Sequence, residues 1–176
     1  MSEAGGLDVE ALIAGVRRPE RTVPICLRGD LLAAWDDLSR QLEARAGTPV
    51  TSLADAPAGR DIAEHMTALA AQIAASERVV RLRGLSDRAL SDLTAQHPPR
   101  TGRDEMWDPT TFPPALLAAC AVDPVMTGEQ AGRLLETVTR GDAARLFTAA
   151  LEASTHAVSV PFSGRAYEIL SATAER

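Results

Sequence analysis

Two pairs of consecutive prolines, Pro98-Pro99 and Pro113-Pro114, limit where helices can lie in the second half of this chain. A residue that precedes proline is pushed out of the α-helical region, so a helix that comes before the first pair must end by His97. Proline is tolerated in the first turn of a helix, where its missing N–H is not needed, so the second pair favours a helix start. The sequence therefore predicts a polar loop, residues 100–108, between two helices.

Two short segments have the composition of β-strands. Residues 22–27 (TVPICL) are rich in β-branched side chains, and in residues 79–83 (VVRLR) apolar side chains alternate with arginines. If the two segments pair, they form a two-stranded ribbon. An isolated pair of strands is marginal in water, so such a ribbon needs helices packed on it.

Apolar residues that recur every three or four positions predict about six helices. A first stripe predicts a helix from an N-cap at Asp30 to about Ala46, closed by Gly47 and Pro49, and a second predicts a helix that ends near Ser76. The stripes consist of Leu31, Trp35, Leu38 and Leu42, and of Ile62, Met66, Leu69 and Ile73.

The four later helices are predicted from caps and breaks. Ser86 is predicted to cap the third helix, and the apolar run ALLAACAV is predicted to form a buried fourth helix that ends at Asp123-Pro124. Thr127 and Gln130 make a capping box for the fifth helix. Gly141 separates the fifth helix from a sixth, which Asp142 is predicted to cap. The apolar faces consist of Leu90 and Leu93 in the third helix, Leu134, Leu135 and Val138 in the fifth, and Leu146, Phe147, Ala150 and Leu151 in the sixth.

These patterns predict a mainly α fold: one compact helical domain with a small two-stranded ribbon and a flexible C-terminal tail. Of 176 residues, 45% are apolar, which can supply one modest core. We expect an N-terminal arm at residues 1–20, a helical domain at 21–154 and a tail at 155–176. Residues 48–60 are rich in Pro, Gly, Ser and Ala and predict an internal linker.

Charge and hydropathy exclude several classes of protein. A net charge of −6, with the arginines scattered among acidic residues, argues against nucleic-acid binding. No apolar run is long enough to span a membrane, and the first residues are acidic where an export signal would be basic. Cys26 and Cys120 lie far apart and are predicted to be small apolar core residues, which suits a reducing compartment.

The chain carries no recognisable catalytic, cofactor or metal motif. Glu64 and His65 are adjacent and therefore point in different directions on a helix, and His97 is better explained as a helix C-terminal residue. There is no Gly-x-Ser-x-Gly, no phosphate loop and no zinc spacing. We expect a non-catalytic protein without a cofactor.

Aromatic residues make up 3% of the chain, so their positions are informative. Trp35 belongs to a helix stripe and is predicted to lie in the core, and Trp107 and Phe112 are predicted to pin the proline-bounded loop onto the helical body. Phe162 and Tyr167 lie in the tail. Two interpretations stay open for them: anchors for a partner's groove, or residues of a tail that packs on its own domain.

The run VRLRGLSDRALSDLTAQHPPR, then WDPTTFPPALLAACAVDPVMT, then LLETVTRGDAARLFTAALEAS, resembles the tail assembly chaperones of long-tailed bacteriophages and prophages. The segments RTVPICLRGDLLAAWDDLSRQLEA and VSVPFSGRAYEIL are also similar to that family, so the likeness covers roughly residues 20–170. Tyr167 and the RDEMW loop depart from the family's pattern.

The resemblance implies a protein that acts in the host cytoplasm and is not retained in the mature virion. It would bind and solubilise the tape measure protein and promote assembly of the tail tube. Further partners would be the tail tube protein, a longer frameshifted form of the same chain and other copies of it. The partner surface would contain Leu134, Leu135, Phe147, Leu151, Phe162 and Tyr167. Two alternatives remain: a structural tail or head-to-tail component, and a helical adaptor unrelated to phage.

Overall fold

The computed structural model describes residues 8–46 and 57–157 of the chain, which form seven helices and three strands. In chain order they are α1 (Val9–Gly15), β1 (Glu20–Cys26), α2 (Asp30–Ala46), α3 (Pro57–Ser76), β2 (Glu77–Arg83), α4 (Asp87–Gln96), α5 (Phe112–Cys120), β3 (Ala121–Asp123), α6 (Gly128–Thr137) and α7 (Arg140–Thr155). The predicted mainly α fold with a small β element is confirmed.

The sheet has the order β1-β2-β3, and both pairs of neighbouring strands are antiparallel. The predicted pairing of the first two strands is confirmed, in a register that runs from Glu20 opposite Arg83 to Cys26 opposite Glu77. Alternate residues of the two strands are buried, among them Val23 on β1 and Leu82 on β2. The sheet therefore has one face on the core and one face in solvent.

The third strand corrects the prediction for the run ALLAACAV. The helix does not continue to Asp123 but ends at Cys120, and β3 pairs with β2 with Ala121 opposite Leu82. Two effects favour this outcome: β2 needs partners for the backbone groups on its second edge, and Pro124 pushes Asp123 into an extended conformation.

The core lies between the buried face of the sheet and helices α5 and α7. Its largest fully buried side chains are Leu82, Phe112, Leu116, Leu117, Leu146 and Cys120. Helix α5 is buried at Phe112, Leu116, Leu117 and Cys120, whereas Ala119 is exposed, so the helix is buried along one side and not completely. Its first turn contains both prolines of the second pair, as predicted.

Helices α2 and α3 form a pair inserted between β1 and β2. They pack on each other, and both stripes are half-buried or buried along their described length, with Ile62 the most buried residue. Among the described residues, none from α2 or α3 belongs to the core cluster. Trp35 is therefore half-buried in this helical pair and does not lie in the core, contrary to the prediction.

Two predicted helix starts differ in detail. Asp30 is the first residue of α2 and not its cap, and its carboxylate binds the Arg28 guanidinium at 2.8 Å. Helix α7 is capped by Thr139, whose hydroxyl accepts from the Asp142 N–H at 3.2 Å, so Asp142 lies in the first turn. Gly141 also lies inside this turn.

The predicted caps at Ser86 and at Thr127 with Gln130 are confirmed. The predicted linker overlaps α3, which begins at Pro57; the rest of it, with Gly47 and Pro49, lies outside the described residues. Likewise α7 continues to Thr155, and residues 158–176 of the predicted tail lie outside the described residues.

Helix α1 lies in the predicted N-terminal arm and was not expected. Asp8 caps it by accepting from the Glu10 N–H at 3.1 Å. Its apolar residues Val9, Leu12 and Ile13 are all more than half exposed. Across residues 8–46 and 57–157, no helix combines the length and apolar character needed to cross a lipid bilayer.

Candidate functional site

The proline-bounded loop, residues 98–111, is closed at its base by His97. This histidine caps the C-terminus of α4, and its carbonyl oxygen accepts from the Asp108 N–H at 3.0 Å. Its ring nitrogen Nδ1 lies 2.9 Å from the Thr111 hydroxyl, next to the start of α5. The two ends of the loop are therefore held together by one residue, and the flanking prolines stop α4 and start α5 on either side of it.

Inside the loop, short-range polar contacts fix the backbone. The Asp108 carboxylate accepts from the Thr110 N–H at 2.8 Å, and this hydrogen bond holds the pKa of the Asp108 carboxyl below its ordinary value. Glu105 pairs with Arg100, chiefly through hydrogen bonds from the guanidinium that lower the pKa of the Glu105 carboxyl. A turn between them places Gly102 at φ 76°, in the region that favours glycine. The loop is thus ordered by its own sequence.

Four rings, here called the aromatic cluster, join this loop to the body: His97, Trp107, Phe112 and Phe147. Trp107 stacks on the fully buried Phe112 with ring centroids 4.6 Å apart, and both rings meet Phe147 of α7 edge to face, at 6.2 and 6.3 Å. His97 contacts Phe112 at 6.2 Å. Aromatic pairs of this kind contribute to stability beyond the effect of the apolar area that they bury. The prediction that Trp107 and Phe112 pin the loop onto the helical body agrees with these contacts.

An apolar groove of about 610 Å³ lies beside the aromatic cluster, between α4 and the last turns of α7. Its α4 wall has Leu90, Thr94 and Ala95, and its α7 wall has Leu151 and Thr155. Met106 and Trp107 border it from the loop, and Ser91 and Phe112 complete the lining. This lining is mostly apolar, and the volume lies in the range of protein pockets that hold an apolar ligand or side chains. We call it the α4/α7 groove.

The predicted partner residues fall in different places. Leu151 lines the α4/α7 groove, and Phe147 lies beside the groove in the aromatic cluster. Leu134 and Leu135 on α6 are half-buried against the core. Leu134 also borders a shallower depression of about 440 Å³ with Val125 and Met126. Phe162 and Tyr167 lie outside the described residues.

Several groove residues were not singled out as site residues from the sequence. Thr94, Ala95 and Thr155 are small or polar residues that carry no pattern of their own. Met106 gave the better signal, because it is an apolar residue next to a tryptophan in an otherwise polar loop, and it is 76% exposed. Methionine is a flexible side chain that is common on surfaces that accept different partners.

Metal ligands and thiols are further candidates for a functional site. Across both described ranges, no three His, Cys, Asp or Glu side chains come together in a way that could hold a metal ion. Both thiols are free; Cys120 is buried as predicted, whereas Cys26 is only half-buried. Burial raises the pKa of the Cys120 thiol, which disfavours its thiolate.

Comparison with known proteins does not place the chain in a family: no family model matches it, and neither a curated protein nor a solved structure shows significant similarity to it.

Proposed function

We propose that this chain is a tail assembly chaperone of a long-tailed phage or prophage, which binds the tape measure protein and keeps it soluble in the host cytoplasm. The observation that carries the proposal is the location of the α4/α7 groove. Trp107 and Phe112, which line it, belong to the WDPTTFPP motif on which the family resemblance rests. A motif and an open apolar groove thus coincide in one part of the molecule.

The groove suits a helical partner on physical grounds. An amphipathic helix binds by placing apolar side chains, spaced three or four residues apart, into an apolar groove. Leu90, Met106 and Leu151 offer such a surface from three different elements. The net charge of −6 would keep a partner coated with many copies from aggregating, since like-charged particles repel.

Under this proposal the chain is non-catalytic and binds no cofactor. The tail tube protein and a longer frameshifted form of the chain would join the same assembly, and several copies would bind along one tape measure protein. The chaperone would be absent from the finished virion.

Co-expression with the long helical protein encoded downstream tests the proposal, with affinity capture and mass determination of the complex. Ala95→Arg places a long charged side chain at the exposed rim of the groove and should abolish capture. Ala89→Arg is the matched control, because it makes the same change on an exposed position of α4 that does not line the groove. Equal capture by both variants would contradict a role for the groove.

Two further results would redirect the assignment. If purified virions contain the chain in stoichiometric amounts, it is a structural tail or head-to-tail component. If its gene has no neighbours that encode a tail tube protein and a very long helical protein, a non-phage adaptor is the better description.

A further inference from the structure

The α4/α7 groove lies where the described part of the chain ends. Thr155 is the last residue of α7 and lines the groove, and the described chain stops two residues later at Ala157. Residues 158–176 follow this point in the sequence. A tether this short gives the following residues an effective concentration on the order of millimolar at the groove.

The sequence beyond Ala157 has the composition to fill an apolar groove. Val158, Val160 and Phe162 alternate with polar residues or proline, so in an extended segment these three apolar side chains share one side. Pro161 disfavours a helical conformation at the residue before it. Phe162 lies seven positions after Thr155, and an extended chain of seven steps reaches about 23 Å. The α4 wall, from Leu90 to Ala95, is only about 7 Å long, so Phe162 can reach every part of it.

We propose that in the free protein the α4/α7 groove is occupied by the chain's own residues 158–176, with Phe162 as the apolar anchor beside Trp107. The segment shields Trp107 and Met106 from water and competes with any helix that binds the same groove. The competition with the tape measure protein rests on the proposed function, but the docking itself does not.

Trp107 provides the readout, because it lines the groove and Trp35, the only other tryptophan, lies on α2. In the full chain carrying Trp35→Phe, emission and acrylamide quenching report Trp107 alone. Adding Phe162→Ser should shift the emission to the red and raise quenching, whereas Phe162→Leu, which keeps an apolar anchor, should leave both near the parent values. Equal quenching in the parent and both variants would overturn the proposal.

A second variant tests the same proposal without a change at residue 162, which could itself affect folding. Ala95→Arg changes the groove wall and leaves the C-terminal segment intact, so it should also expose Trp107, whereas Ala89→Arg should not. Circular dichroism checks that each variant keeps its helices. If Trp107 is shielded to the same extent in Ala95→Arg and Ala89→Arg, the segment does not occupy this groove.

Protein concentration separates the chain's own segment from that of a second copy. Shielding by the attached segment does not change on dilution, whereas shielding by another molecule is lost as the protein is diluted. Loss of shielding together with a change from dimer to monomer would overturn the intramolecular proposal. These measurements use the protein alone, so a failed capture of the tape measure protein leaves their outcome unaffected, and the two proposals can fail separately.

Discussion

Gly84, directly after β2, lies close to the backbone of α7. A Cβ atom at this position would lie 1.9 Å from the carbonyl oxygen of Ala153 and 2.5 Å from its carbonyl carbon. The neighbouring Leu85 N–H donates to the Ser154 hydroxyl at 3.0 Å, so the contact holds the last turn of α7 against the chain that follows β2. Because the blocking atoms are backbone, no rotamer change can relieve the clash.

We expect Gly84→Ala to lower the free energy of unfolding by about 1–3 kcal/mol or more, since α7 must move away from the sheet. Gly132→Ala is the matched control: this glycine lies inside α6, and its Cβ would only make an ordinary contact with Pro114 at 3.8 Å. It should stabilise by roughly 0.5–1 kcal/mol through helix propensity. Urea unfolding of both variants measures the difference, and a loss of stability in both would show that the close approach at Gly84 is not the cause.

Acid should loosen the proline-bounded loop through Asp108 and Glu105. Both carboxyls have pKa values below their ordinary ones, held down by the Thr110 N–H and the Arg100 guanidinium respectively. A lowered pKa stabilises the folded state above the pKa of the unfolded chain, near 4, and this stability is lost as pH falls through the folded value. The groove border at Trp107 lies between these two residues and should respond to the same change.

The measurement is the urea midpoint near neutral pH and near pH 3. Asp108→Asn keeps a side-chain oxygen for the Thr110 N–H but cannot titrate, so its midpoint should fall less on acidification than that of the parent. Asp104→Asn alters a neighbouring, exposed acid of the same loop. If Asp104→Asn reduces the pH dependence as much as Asp108→Asn does, the lowered pKa of Asp108 does not account for it.

At the scale of elements, the sequence predicts what depends on local pattern. Apolar stripes predicted α2 and α3, and caps and chain breaks predicted the four later helices. The predicted caps at Ser86 and Thr127 have side chains that satisfy free N–H groups. Helix α1 is too short to show a convincing stripe and has no buried residue. Strand β3 has three residues and depends on the free edge of β2, which only the folded sheet provides.

The α4/α7 groove also has a part that depends on local sequence and a part that depends on tertiary packing. Its floor could be anticipated in part, because Trp107 lies in the proline-bounded loop and Phe112, the first residue of α5, directly follows that loop. Its walls could not, because they arise where α4 and α7 come together, and these helices are more than forty residues apart in the chain. A side chain such as Ala95 becomes informative only once its position across from Leu151 is known.

We expect the helical pair α2–α3 to unfold separately from helices α4 to α7. Ile62 is buried on α3, yet it is not part of the core cluster. Ile62→Ala should therefore destabilise the pair locally, by about 2–5 kcal/mol for a buried apolar truncation. Hydrogen exchange should show faster exchange in residues 30–46 and 57–76 and unchanged exchange in α4 to α7. The exposed Thr67→Ala on the same helix should leave both regions unchanged, and faster exchange throughout the chain in Ile62→Ala would mean one cooperative unit.

At the scale of the whole molecule, the described helices cover one face of the sheet. Helices α5 and α7 pack on its inner face, whereas the outer face carries ion pairs between strands, Arg83 with Glu20 at 2.7 Å and Arg81 with Asp123 at 3.4 Å. Exposed pairs of this kind add little stability. Charged side chains on a sheet do, however, discourage edge-to-edge association. Exposed apolar side chains that a partner could contact lie at the groove border (Met106) and on α1, and also at Val79 of β2 and Val125 after β3.

The insertion of α2 and α3 between two paired strands has a consequence for the rate of folding. Glu20 pairs with Arg83, so the ribbon forms only after a long stretch of chain has been closed into a loop, at an entropic cost that grows with its length. Helices form within about a microsecond, and once α2 has packed on α3 the ends of β1 and β2 are already close. The helical pair would then act as a nucleus for the sheet, and a change that weakens it would slow folding even though it lies outside the core.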